Sequence, residues 1–201
     1  MSAVPRRKLT AAEYLVIERA AEFKSEFYDG EMFAMAGASR EHVSVNDALV
    51  GELYARLRGG PCRVYSRDLR VRVDATGLYT YPDVVVLCGP GEYDPADRDT
   101  LTNPTALIEV LSPTTERYDR GAKFRMYQRL PSLKEYVLVA QDAPAVERYV
   151  RQPDGQWTFV AFVGLDAELE LTSVPVRVPL VDVYRGVEFP SPLRTDPPPA
   201  V

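Results

Sequence analysis

Two short segments of the sequence are almost entirely apolar: DVVVLC at residues 83–88 and TALIEVL at residues 105–111. Strands that are buried on both faces carry such continuous apolar runs, whereas half-exposed strands alternate polar and apolar residues. A third segment, EYVLVA at residues 135–140, has the same character. The three segments predict the central strands of one buried sheet.

Two carboxylates interrupt these strands. Asp83 opens the first run directly after Pro82, and Glu109 lies in the middle of the second. An unpaired carboxylate at such a place is costly, so it requires a cation, a proton or several hydrogen-bond donors. Neighbouring strands lie about 4.8 Å apart, so carboxylates on two adjacent strands can share one divalent ion. The pattern therefore predicts a metal site at Asp83 and Glu109.

A helix predicted at residues 119–129 follows the Glu109 strand and supplies Asp119 and Lys123. Because they are four residues apart, their side chains lie on one helical face with Tyr127. A lysine there could return to the carboxylates, where its ammonium group would orient a metal-bound water. Oxygen ligands favour Mg²⁺ or Mn²⁺, and a single histidine without a Cys-x-x-Cys motif disfavours zinc.

Signals for helices and hairpins surround these strands. Thr10 followed by Glu13 is a capping box, which predicts a helix reaching about residue 21. Asp29-Gly30 between two β-type runs predicts a hairpin. Ser39 is expected to cap a long helix that ends near residue 59. The inward face of that helix is predicted to carry His42, Asn46, Leu49, Val50, Leu53 and Leu57.

The remaining elements complete the prediction of the fold. In a strand at residues 69–74, Val71 and Val73 alternate with Arg70 and Arg72, so the arginine side is expected to face solvent. The fold class is α/β (α+β): a mixed sheet flanked by helices, with an added N-terminal helix and hairpins. Further predictions are a strand at 63–65, a hairpin formed by 146–150 and 157–163, and a last element at 176–184. The chain is expected to form a single domain over residues 1–189, followed by a disordered proline-rich tail at 190–201.

The charge of the chain bears on its partners. A net charge of −5 and a pI near 5.1 count against nucleic-acid binding, because neutralising phosphates favours basic proteins. A local basic face can still coexist with a negative total. Four arginines in or just before the predicted helix could follow a phosphate backbone, although a solvated basic face is the commoner explanation: Arg117, Arg120, Arg125 and Arg129.

Cellular location is predicted from hydropathy and cysteine usage. No segment approaches the ~20 consecutive apolar residues that a membrane span needs. The N-terminal residues lack the apolar region of a signal peptide. Cys62 and Cys88 lie in apolar stretches and are expected to be free, buried thiols. A cytoplasmic protein is therefore expected.

An ordered set of segments resembles a known family. The segments are SEFYDGEMFAMAG at 25–37, the helix with His42, YPDVVVL at 81–87, and NPTALIEVLSPTTERYDRGAKFRMYQRLPSLKEYVLV at 103–139. Together they resemble the bacterial Uma-two putative restriction endonuclease family, within the PD-(D/E)-x-K nuclease superfamily. The resemblance runs to about residue 188 and implies a restriction-endonuclease-like fold, Mg²⁺-dependent hydrolysis of DNA and a two-fold dimer.

The resemblance also implies roles for individual residues. Asp83 matches the motif aspartate, Glu109 matches the second acidic ligand, and the Val110 main-chain carbonyl would also contact the metal. The superfamily pattern places its lysine two residues after the acid, where this sequence has Leu111. In the family the role passes to a lysine of the following helix, which is Lys123 here.

Several alternatives remain open at this point. Glu109 could form a buried ion pair with Arg70 or Arg72, and Lys123 could simply pair with Asp119 in solvent. His42 could be a core residue or could line the site, and Asp119 could be a helix cap or a site residue. One acidic residue of the first hairpin could approach the metal or simply be exposed, and Glu26 is preferred over Glu31 for this position. Alternatives to a nuclease are a non-catalytic module that binds nucleic acid or protein and a hydrolase of small phosphate esters.

Overall fold

The computed structural model describes residues 7–189 of the 201-residue chain. The predicted disordered tail at 190–201 lies outside the described residues. In chain order the elements are α1 (Ala11–Ala20), β1 (Ser25–Tyr28), β2 (Glu31–Ala34), α2 (Arg40–Leu57), β3 (Cys62–Ser66), β4 (Arg70–Val73), β5 (Leu78–Thr80), β6 (Val84–Cys88), β7 (Tyr93–Asp94), β8 (Asp97–Leu101), β9 (Ala106–Leu111), α3 (Glu116–Tyr118), a π-helical turn (Asp119–Lys123), α4 (Phe124–Tyr127), β10 (Glu135–Ala140), β11 (Ala145–Arg151), β12 (Trp157–Val163), β13 (Glu168–Leu171), β14 (Val176–Pro179) and α5 (Leu180–Val183).

The central sheet contains the three apolar segments as neighbours. Its strand order is β12-β11-β10-β9-β6-β3. Strand β9 lies between an antiparallel β6, with Val84 opposite Ile108, and a parallel β10, with Leu138 opposite Glu109. All six residues of β9 are buried. The prediction of central strands buried on both faces is confirmed.

Two layers cover the faces of this sheet. On one face α2 packs its apolar side, including Leu49 and Leu53, against even-numbered residues of β6 and β9 such as Val84 and Ile108. On the other face Tyr127 and its neighbours pack with the odd-numbered residues of those strands and with part of a second sheet. Asp83 and Glu109 are also odd-numbered, so the alternation of side chains along each strand directs them toward this second face.

The second sheet has the strand order β2-β1-β5-β4-β8-β7 and corrects one prediction. Arg70 and Arg72 do not form a solvated side: Arg70 is only 6% exposed and forms an ion pair with Asp97, while Arg72 pairs with Asp94 at 2.8 Å. The reason is that β4 is an interior strand, paired with β5 on one side and β8 on the other. The hairpin of β7 and β8 supplies Asp94 and Asp97, which pair with the two arginines. Sequence patterns did not identify β5, β7, β8 or β13.

The helix predicted at 119–129 is found at 116–127, with a π-helical turn at Asp119–Lys123 between α3 and α4. Turns of this kind rotate the following side chains relative to an ordinary α-helix and occur frequently at functional sites. Both end residues of the turn, Asp119 and Lys123, are buried. The solvated interpretation of Lys123 is therefore wrong.

The expectation of two free thiols is also wrong, because Cys62 and Cys88 form a disulfide. The two residues are directly opposite each other in the antiparallel pair of β3 and β6, although 26 positions separate them in the sequence. Their pairing depends on the strand register, which spacing alone does not reveal. The bond joins the edge strand β3 to β6, the strand that Asp83 precedes.

The predicted N-terminal elements are confirmed. Thr10 and Glu13 form the capping box of α1, and Ser39 caps α2 by accepting a hydrogen bond from the His42 N–H at 3.1 Å. Asp29 and Gly30 both have positive φ, as a two-residue hairpin turn requires. No helix within residues 7–189 is long and apolar enough to span a membrane.

Candidate active site

Asp83 and Glu109 lie side by side on adjacent strands. Asp83 immediately precedes β6, and the register of β6 on β9 places it next to Glu109. The Asp83 N–H donates to Glu109 Oε2 at 3.3 Å, and the Val110 N–H donates to Asp83 Oδ2 at 2.8 Å. Main-chain donors therefore fix both carboxylates where the antiparallel pairing of the strands begins.

Lys123 reaches this pair from the following helix. Its Nζ lies 3.0 Å from Glu109 Oε1, 3.0 Å from Glu26 Oε1 and 3.6 Å from Asp119 Oδ1. The side chain of Lys123 is only 7% exposed. Glu109 therefore pairs with Lys123 and not with Arg70 or Arg72, which resolves the alternative that the sequence left open.

Glu26 enters the site from β1 of the second sheet. The Thr80 hydroxyl of the neighbouring β5 donates a hydrogen bond to its Oε1, the same atom that contacts Lys123. Glu31, the other candidate in the hairpin, is exposed. The alternation of side chains along the strand thus brings Glu26 into the site and leaves Glu31 in solvent.

His42 approaches from the opposite layer. Its Nε2 lies 3.1 Å from Asp83 Oδ1, and the imidazole is largely buried. Since Ser39 fixes the start of α2, the first helical turn points this side chain at Asp83. Of the two interpretations of His42, the structure supports the one in the site.

Two further residues of the site were not among the candidates. The Tyr127 hydroxyl donates to Glu109 Oε1 at 2.8 Å, and Tyr127 is fully buried. Its position four residues after Lys123 was the available signal. Thr80 gave no signal, because its strand was not identified from the sequence.

The site carries more negative than positive charge: the carboxylates of Glu26, Glu109 and Asp119 surround Lys123, and Asp83 adds a fourth carboxylate beside Glu109. Burial raises the pKa of Glu109 to about 8; Asp119 and Asp83 act in the same direction, and Lys123 opposes them. Burial likewise raises the pKa of Asp119. Burial alone would lower the pKa of Lys123, but Glu109 and the other groups around it raise it well above the usual value. Lys123 therefore keeps its charge, and the surplus of carboxylates favours a proton or a cation.

The donor set fits a hard divalent cation. An ionised carboxylate has about four lone-pair positions, whereas Asp83 has two hydrogen-bond partners and Glu109 three. Oxygen positions therefore remain for a metal, and Mg²⁺ is commonly held by one or two carboxylates together with waters. Within residues 7–189 no cluster of three or more His, Cys, Asp or Glu side chains has a ready metal-binding arrangement. Asp83 and Glu109 are such a pair of carboxylates, so they fit an ion that keeps several water ligands.

Comparisons with known proteins identify the family of this chain. The family model Uma2, described as putative restriction endonuclease, matches residues 11–180. The uncharacterized protein slr1290 of Synechocystis sp. (strain ATCC 27184 / PCC 6803 / Kazusa) is 37% identical over 188 residues, covering 92% of this chain and 96% of the relative. The uncharacterized protein sll1609 of the same organism is 34% identical over 168 residues, covering 84% and 95%.

A solved structure supports the fold assignment. The crystal structure of a putative nuclease belonging to DUF820 from Anabaena variabilis ATCC 29413 superimposes with a TM-score of 0.70 at 18% identity, covering 86% of this chain and 95% of that one. This likeness confirms the predicted fold class, a mixed α+β nuclease-like fold. The family match spans most of the chain and includes Glu26, Asp83, Glu109 and Lys123. The chain belongs to the Uma2 family of putative restriction endonucleases.

Proposed function

We propose that this protein is an endonuclease that uses Mg²⁺, or Mn²⁺ in its place, to hydrolyse phosphodiester bonds in DNA. One observation carries the proposal: the Asp83–Glu109 pair on adjacent strands lies beside a buried lysine, with Lys123 Nζ 3.0 Å from Glu109 Oε1. The family description and the named structural neighbour support a nuclease in general terms. Metal use is inferred from the chemistry of the site, and the choice of DNA is inferred from the family description.

The metal would be held by Asp83, Glu109 and the Val110 main-chain carbonyl. When bound, it would activate a water and neutralise charge that develops on the phosphate. The protein's own groups have separate tasks. His42 and the Val110 N–H orient Asp83, while Tyr127 and the Asp83 N–H orient Glu109. Such supporting hydrogen bonds hold metal ligands in place and affect their affinity.

Lys123 acts as a charged donor in this scheme. Because neighbouring carboxylates raise its pKa, it does not serve as a base at neutral pH. Two of its three N–H groups are occupied by the contacts at 3.0 Å to Glu26 and Glu109. The third can orient the attacking water or bind a phosphate oxygen, where positive charge stabilises the transition state.

Metal binding is expected to stabilise the folded protein. Added Mn²⁺ should raise the Tm, since a ligand that binds only the native state stabilises it by mass action. The double substitution Asp83→Asn with Glu109→Gln removes both ligand charges while keeping side-chain volume, and should abolish the rise. Thermal scans with and without Mn²⁺ measure this. A matched control is Asp47→Asn with Glu92→Gln, at two acidic residues outside the site. An unchanged response of the site double mutant would rule out Asp83 and Glu109 as the metal ligands.

The second candidate is a non-catalytic module that binds nucleic acid or protein on the same scaffold. It is favoured by the net charge of −5 and by the fact that the site carboxylates already have protein partners. Incubation with Mg²⁺ and plasmid DNA, single-stranded DNA or a small phosphate ester separates the candidates. A nuclease cleaves a DNA substrate, a small-ester hydrolase cleaves only the ester, and the module cleaves none of them. Cleavage of DNA would support the proposal, and either other pattern would overturn it.

A further inference from the structure

The outer strand of the central sheet has an unusual edge. Strand β12, with the sequence WTFVAFV, contains no charged residue and is seven residues long. It pairs with β11 without interruption, from Arg151 opposite Trp157 to Ala145 opposite Val163. It is an edge strand, at one end of the strand order of the sheet. About half of its main-chain N–H and C=O groups therefore point away from the sheet, as in any outer antiparallel strand.

The side chains of this strand are exposed on both faces of the sheet. Phe159 is 54% exposed and Val163 71% exposed on one face, and Val160 is 38% exposed on the other. The Phe159 ring packs on Tyr149 at a centroid distance of 5.3 Å, so this apolar surface rests on the aromatic side chains that cover the sheet. An apolar edge of this length is a template for pairing with another strand.

The other edges of the two six-stranded sheets within residues 7–189 lack these properties. Strand β3, at the far edge of the central sheet, contains Arg63, and β2 in the second sheet contains Glu31. Strand β7, the opposite edge of the second sheet, has two residues. Charges and short length are the usual means by which proteins protect an edge. In this part of the chain, β12 is the long edge without such protection.

We infer that β12 is the interface between two copies of this chain, which pair antiparallel across a two-fold axis at Val160. An uncharged strand opposes no like charges when it meets itself, so a second copy is a matching partner. In this register Trp157 is opposite Val163, and Phe159 is opposite the small Ala161. The pairing occupies the same edge in both copies, so it forms a closed dimer and joins two six-stranded sheets.

Light scattering coupled to size exclusion tests the interface. The parent protein should have twice the 22.5 kDa mass of one chain at micromolar concentration. Val160→Lys with Val163→Lys places charges on both faces of the strand and should give monomers. Val181→Lys is the matched control, because Val181 is an exposed valine (52%) that lies on α5 and not on β12. A monomeric parent, or a double variant that stays dimeric, would overturn the inference.

A cross-link tests the register independently of any effect of the charges on folding. Residues directly opposite each other in an antiparallel pair have Cβ atoms about 4.5–5.5 Å apart. Val160→Cys should therefore form a disulfide between two copies under mild oxidation, and Val181→Cys should not. Non-reducing electrophoresis reads the result as a band of doubled mass. Equal cross-linking of the two variants, or none at Val160→Cys, would contradict the proposed pairing.

Discussion

Replacing Lys123 with alanine is expected to slow Mg²⁺-dependent DNA cleavage by about 10²-fold or more. The ammonium group acts mainly in the transition state, where it orients the water and offsets charge on the phosphate. The carboxylates of Asp83 and Glu109 remain in the variant, so the Mn²⁺-induced rise in Tm should persist. Single-turnover cleavage of a labelled duplex measures the first effect, and thermal scans measure the second.

Two further variants sharpen this test. Lys123→Arg should restore little activity, because a planar guanidinium does not fit the position of a compact ammonium among three carboxylates. Lys134→Ala should cleave at the parent rate, since Lys134 is exposed. Circular dichroism verifies that each variant is folded before rates are compared. Parent-rate cleavage by folded Lys123→Ala would exclude the assigned role.

The substitution Asp97→Ala is expected to lower the free energy of unfolding by about 3–5 kcal/mol, as for other buried ion pairs that lose one partner. Asp97 is 1% exposed and accepts hydrogen bonds from Arg70, Arg19 and the Thr100 hydroxyl. Without it, the buried Arg70 guanidinium loses its counter-charge. Urea unfolding followed by circular dichroism measures the change. The matched control is Asp99→Ala, because Asp99 is exposed and its carboxylate lies 3.9 Å from the guanidinium of Arg98, which is also exposed.

The stabilisation that Asp97 and Arg70 provide is expected to depend on pH. Burial opposes ionisation of Asp97, but Thr100, Arg19 and Arg70 outweigh it and hold its pKa well below the usual range. A carboxylate whose pKa is lower in the folded state stabilises the protein above its unfolded-state pKa, and the stabilisation is lost as the pH falls. The difference in stability between the parent and Asp97→Ala should therefore shrink in acid. If Asp97→Ala lowers the free energy of unfolding by less than about 1 kcal/mol at neutral pH, as for an exposed pair, the ion pair contributes little and the prediction is wrong.

The sequence predicted those parts of the fold that depend on local pattern. The buried strands were visible because their apolar runs lack alternation, and the helix starts were visible because Thr10, Glu13 and Ser39 have the chemistry of caps. The same runs drew attention to Asp83 and Glu109, since carboxylates there are costly without partners. Their contact in the structure follows from the pairing of adjacent buried strands.

The errors arose where tertiary contacts override a local pattern. The alternation of Arg70 with Val71 indicates an exposed face, but carboxylates of distant strands neutralise the buried Arg70 and the half-buried Arg72. Likewise, the register of β3 on β6, and not the local sequence, brings Cys62 to Cys88.

The position of Lys123 required more than its spacing. A four-residue interval from Asp119 is equally compatible with a solvated ion pair. The inward orientation depends on the π-helical turn and on Glu26, which arrives from another sheet. The family resemblance indicates Lys123, and the structure shows its partners, Glu26, Glu109 and Asp119.

The most direct test of the proposed function compares plasmid cleavage by the parent protein and by Asp83→Asn, with Mg²⁺ and with EDTA. We predict that the parent converts supercoiled DNA to nicked or linear forms only when Mg²⁺ is present. Asp83→Asn should lower the rate by about 10²-fold or more, because it removes a ligand charge at the centre of the site. Cleavage that persists in EDTA, or at the parent rate in folded Asp83→Asn, would contradict a metal-dependent nuclease site at Asp83 and Glu109.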